Sequence, residues 1–593
     1  MKTHYKNIGE FIAELEKFGE LMRVSEPVSP EIEISKITDA ESKKPGGGKA
    51  LLFENVVDGG KKSFPIATNL FGSEKRMSMA LGVPSFADAE KAVAELVETD
   101  PPQSLADLAA FAKKILPLAR ITPKLSRGTP PCQEVVKTGA DIDLSEIPVL
   151  KCWPHDGGRF VTLPLVFTKS LDGKKRNLGM YRLQIFDEKT TGMHWHVHKD
   201  GSHYFGEYKR ARRRMPVAVA IGADPATVYA ATAPMPRGVD ELLLAGFFRR
   251  RGVRMAKCLT IDMEVPADAE FVLEGYVEPD ELRTEGPFGD HTGYYSAADL
   301  YPVFHLTAIT RKKSPIYCAT LVGPPPMEDC YMAKATERIF LPLLRAVMPE
   351  IKDYFLPWEG VFHNIAVVSI RKEFPAHAQK LAQGLWGQGQ MSFCKAVVAV
   401  DDDVDPSDLG AVWAKFLDSF DPKSDAFIGE GVLDVLDHSA PRPLRGSKIG
   451  IDLTKRLPSE EPRKIFPLEP HSMADIKECE DFIKSNIPQA KEIKMTDAFF
   501  AVSVEKGGAR GRDILGKIAA CPKLSGFARA AAIFDGDVGL GSPSKLLWKI
   551  FNNTDPARDI VFAENGLTLI DACRKNRADG YEREWPEDLS FDK

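Results

Sequence analysis

Lys175–Tyr204 reads KRNLGMYRLQIFDEKTTGMHWHVHKDGSHY. Short β-branched and aromatic runs broken by Gly-containing and charged turns recur on both sides of it, over roughly 140–330, and predict a mainly β region. If Met193–Lys199 is a strand, His194, His196 and His198 project from one face, because side chains alternate with period two. Three imidazoles on one face suggest a metal, although a hydrogen-bonded polar face has the same pattern. Asn177 and Arg182 stand five apart, so within one strand they point to opposite faces unless a bulge intervenes. An amide oxygen is a hard ligand suited to manganese or magnesium, and a guanidinium suits a carboxylate or phosphate. The pair therefore hints at an anionic ligand beside a metal.

Downstream, Thr284–Tyr295 reads TEGPFGDHTGYY, with Glu285 and Asp290 separated by Gly-Pro-Phe-Gly. Such a loop can hold two acids close to one another and to an arginine, so that one keeps a proton while the other orients the guanidinium. A hairpin turn with solvated acids has the same local sequence.

At 593 residues the chain exceeds one ordinary core, and usual domain sizes imply two to four folding units. With 44% hydrophobic and 27% charged residues it has the balance of a soluble globular protein. A formal net charge of −6 gives no long-range attraction to nucleic acid or anionic lipid. The basic runs Lys209–Arg214 and Arg249–Arg254 lack interleaved aromatic residues or a reader motif, and are expected to face solvent or a subunit rather than nucleic acid. Nine cysteines without a CxxC pair predict reduced thiols and a cytoplasmic protein. The first residues carry no signal-like apolar segment, and no apolar run approaches the ~18 residues a spanning helix needs, so membrane contact is at most peripheral.

Phe11, Ile12, Leu15, Phe18 and Leu21-Met22 predict an amphipathic helix over 8–22, opening a small α/β unit. Pro101, Pro102, Pro117, Pro123, Pro130 and Pro131 separate that unit from the β region. Residues 331–351 predict a connecting helix that Pro342 kinks or ends. Strands and helices then alternate, interrupted by a long loop over 437–471. An internal repeat with an offset of about 134 residues relates Phe393-Cys394-Lys395-Ala396, Trp413, Asp421-Pro422 and Asp425 to Phe527-Ala528-Arg529-Ala530, Trp548, Asp555-Pro556 and Asp559. The expected domains are 1–125 (α/β), 126–330 (mainly β), 331–480 (connecting helix and C-terminal α/β domain) and 481–593 (a repeat of that α/β unit).

Taken in order, NLGMYR with Asn177 and Arg182, the histidine segment ending at His198, PMPRGVDE ending at Glu241, EGPFGDHTGYY from Glu285, and MSFCKAVVAVDDDVD with Lys395 resemble the UbiD family of prenylated-flavin-dependent decarboxylases. Five ordered motifs within about residues 5–455 make coincidence implausible; the resemblance thins beyond that point. It implies an α/β (α+β multidomain) fold: an N-terminal α/β unit, a central split-β-barrel-like flavin-binding domain and a C-terminal α/β oligomerisation domain, here with its tandem repeat. It also implies that Asn177, His198 and Glu241 ligate a divalent ion, manganese or magnesium, that bridges to the phosphate of prenylated FMN. Lys395 would contact the same phosphate, with potassium as a further ion. Arg182, Glu285 and Asp290 would form the catalytic trio, with Arg182 also at the cofactor, and His194 and His196 need not be ligands. Asp at 290 resembles the branch acting on prenylated hydroxybenzoate. The segments DGGRFVTLPLVFTKS and ATERIFLPLL and the length look like the long subgroup associated with menaquinone synthesis, which implies a hydroxynaphthoate. The implied partners are an aromatic acid and carbon dioxide, a flavin prenyltransferase that supplies the cofactor, and further copies of the chain in a homo-oligomer, dimer or higher.

Loss of carbon dioxide from an aromatic ring leaves a carbanion that side chains cannot stabilise, and the family's cofactor supplies the electron sink. On this view Arg182 holds the substrate carboxylate, Glu285 fixes Arg182, and either Glu285 or Asp290 returns the proton, Asp290 being the favoured donor. Three rival readings stand beside it. An enzyme of aromatic degradation would use the same residues in either direction. A zinc hydrolase on His194, His196 and His198 would need an open coordination position and a general base. An RNA-binding or scaffold role rests on the basic runs and the repeat alone.

Overall fold

A computed structural model describes residues 2, 4–97 and 119–592 of the chain, so Pro101, Pro102 and Pro117 lie outside the described residues. Two compact units emerge, Met1–Phe340 together with Glu587–Lys593, and Leu341–Pro586.

In the first unit Asn7 caps the opening helix by accepting the Glu10 N–H at 2.9 Å, and Ile8, Phe11, Ile12 and Leu15 bury one face. The helix is shorter than its periodicity suggests. It ends at Lys17, Gly19 turns the chain with φ of 71°, and Leu21-Met22 begin the strand Leu21–Val24, parallel to Ala50–Phe53.

The centre of this unit is an antiparallel sheet in the order Arg176–Gly179, Pro164–Lys169, Met215–Ile221, Phe271–Glu285, Asp299–Arg311, Thr190–Gly192, with Val135–Thr138 also paired to Asp299–Arg311. Both of its faces are covered. Val217, Val219 and Ile221 enter one apolar core and Ala218 and Ala220 the other, which is why Met215–Ile221 reads as an unbroken apolar run instead of an alternating one. A bulge at Glu274/Gly275 bends the long strand that ends in Glu285. Only glycine fits there, since a Cβ on Gly275 would lie 1.9 Å from the His305 carbonyl oxygen.

The second unit contains two five-stranded sheets with one topology. In the first, Ile351–Phe355, Ile365–Ile370, Ala396–Asp401, Arg445–Asp452 and Ala426–Val432 lie side by side, the middle three parallel and the edges antiparallel. Ala490–Thr496, Phe499–Val504, Ala530–Asp535, Thr568–Asp571 and Ile560–Phe562 repeat that order and sense. Ile365 pairs with Ala396 as Phe499 pairs with Ala530, an offset of 134 residues. Local bonds repeat as well. The Asp421 N–H donates to Asp425 and the Asp555 N–H to Asp559, each at 2.8 Å, while Lys372 bridges Asp452 and Glu460 as Lys506 bridges Asp571 and Asp579.

Two further expectations need correction. The segment 437–471 is not all loop, because Arg445–Asp452 is an interior strand; its buried Lys448, bonded to the Ser392 and Cys394 carbonyls, and its glycines hide the strand pattern. The helix Glu328–Val347 also runs through Pro342 without ending there, and the buried Ile339 and Leu341 anchor the turn just before the proline. The Gly275 bulge sets up a direct test of the central sheet. Gly275→Ala is expected to lower stability by about 1–3 kcal/mol through overpacking against the paired strand. Denaturant unfolding of the full chain measures it, and an unchanged midpoint would contradict the strand crossing described.

Candidate active site

Arg182 and Asn177 do not share a strand. Arg176–Gly179 leaves its ladder at Gly179, where a Cβ would lie 2.3 Å from the Tyr181 ring, and the chain resumes pairing only at Leu183–Gln184. Arg182 therefore sits in the break with its side chain only 9% exposed. Glu285 is the last residue of the long strand, and the loop after it is pinned through its backbone. The Gly286 N–H donates to Gln184 Oε1 at 2.8 Å, the Gly289 N–H to Asp156 Oδ1 at 2.7 Å, and Phe288–Gly289 pairs with Tyr295–Ser296. Asp290 follows at the turn.

These elements bring the three residues together. Arg182 donates from Nε to Glu285 Oε1 at 2.9 Å, from Nη1 to Asp290 Oδ2, and from Nη2 to Ser296 Oγ at 3.1 Å. Its guanidinium also lies 4.5 Å from the centroid of the Phe288 ring. Asp290 Oδ1 accepts its neighbour's backbone N–H at 2.8 Å and sits 2.9 Å from His291 Nδ1. Burial alone would push the Asp290 pKa up, but the His291 bond and the Arg182 charge outweigh it and hold the carboxyl well below the usual range. Glu285 is lowered in the same way, burial being overcome by Arg182 and His194.

The histidine segment is not the expected strand. Pairing stops at Gly192, so His194, His196 and His198 do not line one face, and among the described residues no three His, Cys, Asp or Glu side chains form a metal-holding group. His194 is buried, with Nδ1 2.7 Å from Glu285 Oε1, its ring stacked on Tyr301, and Nε2 2.6 Å from His196 Nε2. Burial, aided by the Arg182 charge, lowers its pKa and keeps the imidazole neutral. A neutral ring that donates through Nδ1 accepts at Nε2, so His196 is the donor of the pair. Glu285 Oε2 is buried and makes no hydrogen bond, and Gly192 leaves room beside it, since a Cβ there would approach Oε2 to 3.0 Å.

Of the residues that the resemblance assigns to a metal, Asn177 and Glu241 are both buried and meet around Leu178. Asn177 Nδ2 lies 3.3 Å from Thr168 Oγ1, and Glu241 Oε2 accepts the Leu178 N–H at 2.8 Å. Burial pushes the Glu241 pKa up to about 7, and Asp240 and Asp200 add to the rise. A buried carboxylate whose charged neighbours are acids suits a divalent cation. The side chain of His198 lies in an exposed turn. Lys395 belongs to the second unit, where its buried ammonium donates to Asp437 Oδ2 at 2.8 Å and Ser439 Oγ at 2.9 Å. In the basic run Arg249–Arg254, Arg250, Arg251 and Arg254 are exposed, while Arg249 is buried in an ion pair with Asp224. Sequence reasoning missed Ser296, Phe288, Asp156 and the His291 contact; all but Asp156 stand inside or beside the quoted loop, and Asp156 opens DGGRFVTLPLVFTKS.

A buried arginine between two carboxylates at the end of a mainly antiparallel sheet marks an enzyme that handles a carboxylate. Comparison with known proteins agrees. The 3-octaprenyl-4-hydroxybenzoate carboxy-lyase N-terminal domain matches residues 12–96, its Rift-related domain 124–325, and its C-terminal domain 330–453 and 478–580. An uncharacterized protein of Archaeoglobus fulgidus is 46% identical over 82% of this chain and 98% of its own length. Another, from Helicobacter pylori, is 37% identical over 98% of this chain and 94% of its own. Among solved structures, the vanillic acid decarboxylase of Sedimentibacter hydroxybenzoicus is similar with a TM-score of 0.67 and 26% identity, over 81% of this chain and 98% of that one. The UbiD-class enzyme HmfF from Pelotomaculum thermopropionicum in complex with FMN gives 0.64 and 28%, over 79% and 98%. The chain belongs to the UbiD family and is a carboxy-lyase. Among the described residues no helix is long and apolar enough to cross a membrane.

Glu241 gives the site a pH signature. Its pKa is raised from 4.5 to about 7 in the folded chain, so the folded state binds the proton more tightly and stability falls as pH rises through that window. The fall is on the order of 3 kcal/mol. Glu241→Gln, or a manganese ion held at the carboxylate, is expected to flatten it. Unfolding at about pH 5 and about pH 7.5, with manganese or with chelator, measures the slope. An identical slope in the variant would show that Glu241 is solvated.

Proposed function

We propose that this carboxy-lyase removes carbon dioxide non-oxidatively from an aromatic acid with prenylated FMN and a divalent metal. The direction follows carbon dioxide supply, and the substrate class is a hydroxynaphthoate or polyprenyl-hydroxyarylate of quinone synthesis. The observation that carries this reading is the Arg182 guanidinium held between two buried carboxylates. Solved relatives support the chemistry, as one is a vanillic acid decarboxylase and an evolved dimeric form of another was obtained in complex with prFMN. Asn177, His198 and Glu241 would hold manganese or magnesium, and Lys395 would meet the cofactor phosphate. The flavin, when bound, supplies the electron sink that side chains lack.

The protein's own part is orientation, charge and one proton. Arg182 exchanges one carboxylate partner for the substrate carboxylate, while Glu285, fixed by Arg182 Nε and His194, keeps the guanidinium in place. The partner given up is Asp290, and losing the Arg182 charge raises its affinity for a proton. Once the carbon–carboxylate bond has broken, Asp290 gives its proton to the ring carbon that carried the carboxylate. One proton is consumed for each carbon dioxide released. Burial of all three side chains keeps water from the ion pairs.

Arg182→Ala and Glu285→Gln are each expected to lower kcat/KM at least about a hundredfold while the protein keeps its flavin absorbance. Asp290→Asn is expected to lose turnover likewise. Carbon dioxide release from a panel of hydroxybenzoates and hydroxynaphthoates, with mass spectrometry of the cofactor released from anaerobically purified protein, provides the measurement. Wild-type turnover in either of the first two variants would refute the assignment.

A further inference from the structure

Glu587–Asp592 belongs to the first unit although the residues up to Pro586 build the second. There the segment runs alongside the loop that carries Asp290, joined to it by one isolated β-bridge. The Tyr295 N–H donates to the Glu587 carbonyl at 3.1 Å, the Leu589 N–H donates to the Gly293 carbonyl at 2.9 Å, and Tyr294 bridges antiparallel to Asp588. Leu589 is 6% exposed within the apolar core, and Phe591 stacks on Trp153 with ring centroids 4.2 Å apart. Trp153 is wedged against the loop, since a Cβ on Gly289 would lie 2.2 Å from the indole and 2.9 Å from Leu589.

These contacts bear on one turn. The Asp290 N–H donates to the Tyr294 carbonyl at 3.1 Å and the Gly293 N–H to the Asp290 carbonyl at 3.0 Å, so the backbone that aims Asp290 hangs on Gly293–Tyr295. One side of that segment pairs with Phe288–Gly289 and another with the tail. With the tail gone, Gly293–Tyr295 loses its backbone bonds to Glu587 and Leu589, and Gly289 loses the packing that Leu589 and Phe591 supply beneath it.

We propose that Glu587–Asp592 is a positioning strap: docked, it aims Asp290 at Arg182, and turnover depends on it. This rests on the reading of Asp290 as the proton donor. Leu589 and Phe591 touch neither substrate nor cofactor; they act through the loop. Two backbone bonds and two apolar side chains form a small cooperative unit that opens without unfolding the rest.

The test uses Leu589→Asp and Phe591→Ala in the full chain, and a chain stopped before Glu587 with and without the peptide Glu-Asp-Leu-Ser-Phe-Asp. Hydrogen exchange of residues 286–296 should quicken at least about tenfold in each variant while the Phe499–Val504 strand is unchanged. On the same hydroxybenzoate and hydroxynaphthoate panel, kcat should fall roughly tenfold to a hundredfold with KM nearly constant. Phe591→Trp, which keeps the stacking, should restore both, and millimolar peptide should rescue the shortened chain. Unchanged exchange in the shortened chain, or faster exchange with wild-type kcat, would overturn the strap. An active Asp290→Asn chain would instead overturn the donor assignment and leave the exchange result standing.

Discussion

A guanidinium taken out of water costs several kcal/mol unless anions meet it in good geometry, and that constraint at Arg182 organises the first unit. The ladder breaks at Gly179 so that Arg182 turns inward, the longest strand ends where its last carboxylate can meet Nε, and the following loop returns a second carboxylate to Nη1. Phe288 covers the cation and His194 holds the outer side of Glu285. The result is a charge cluster with one buried oxygen, Glu285 Oε2, left without a partner and glycine beside it. One guanidinium against two carboxylates leaves the cluster net negative, so a further carboxylate can enter only when Arg182 gives up a partner or one acid takes a proton.

Much of this is legible in the sequence, because the informative residues carry local chemistry. Arg182 lies 103 residues from Glu285 and 108 from Asp290, yet each stands in a motif whose Gly and Pro announce a special backbone. The mainly β centre and the repeat were legible from apolar runs and from matched side chains. What failed to show was tertiary. The histidine segment has the alternation of a strand but no neighbour to pair with beyond Gly192, and Arg445–Asp452 is a strand whose pattern is masked by a buried lysine. Pro342 stays inside its helix because packing outweighs propensity, a balance that local sequence does not encode.

The duplicated sheets show what the second unit has kept and what it has released. The lysine bridging two acids recurs at Lys372 and Lys506, and the turn between paired aspartates at Asp421 and Asp555. At the position of Lys395, whose ammonium meets Asp437, the second copy has Arg529. Its guanidinium lies 5.7 Å from the Phe466 ring, and among the described residues no carboxylate pairs with it. The architecture has outlasted the chemistry of that position.

The return of Glu587–Asp592 to the loop beside Asp290 also bears on how the enzyme should be handled. Lys593 follows directly on residues whose backbone and aromatic ring are committed to Gly293, Tyr295 and Trp153. A purification tag fused there would drag on the segment that makes those contacts. An assay run on material with a handle fused directly behind Asp592 would report on the handle as much as on the catalyst.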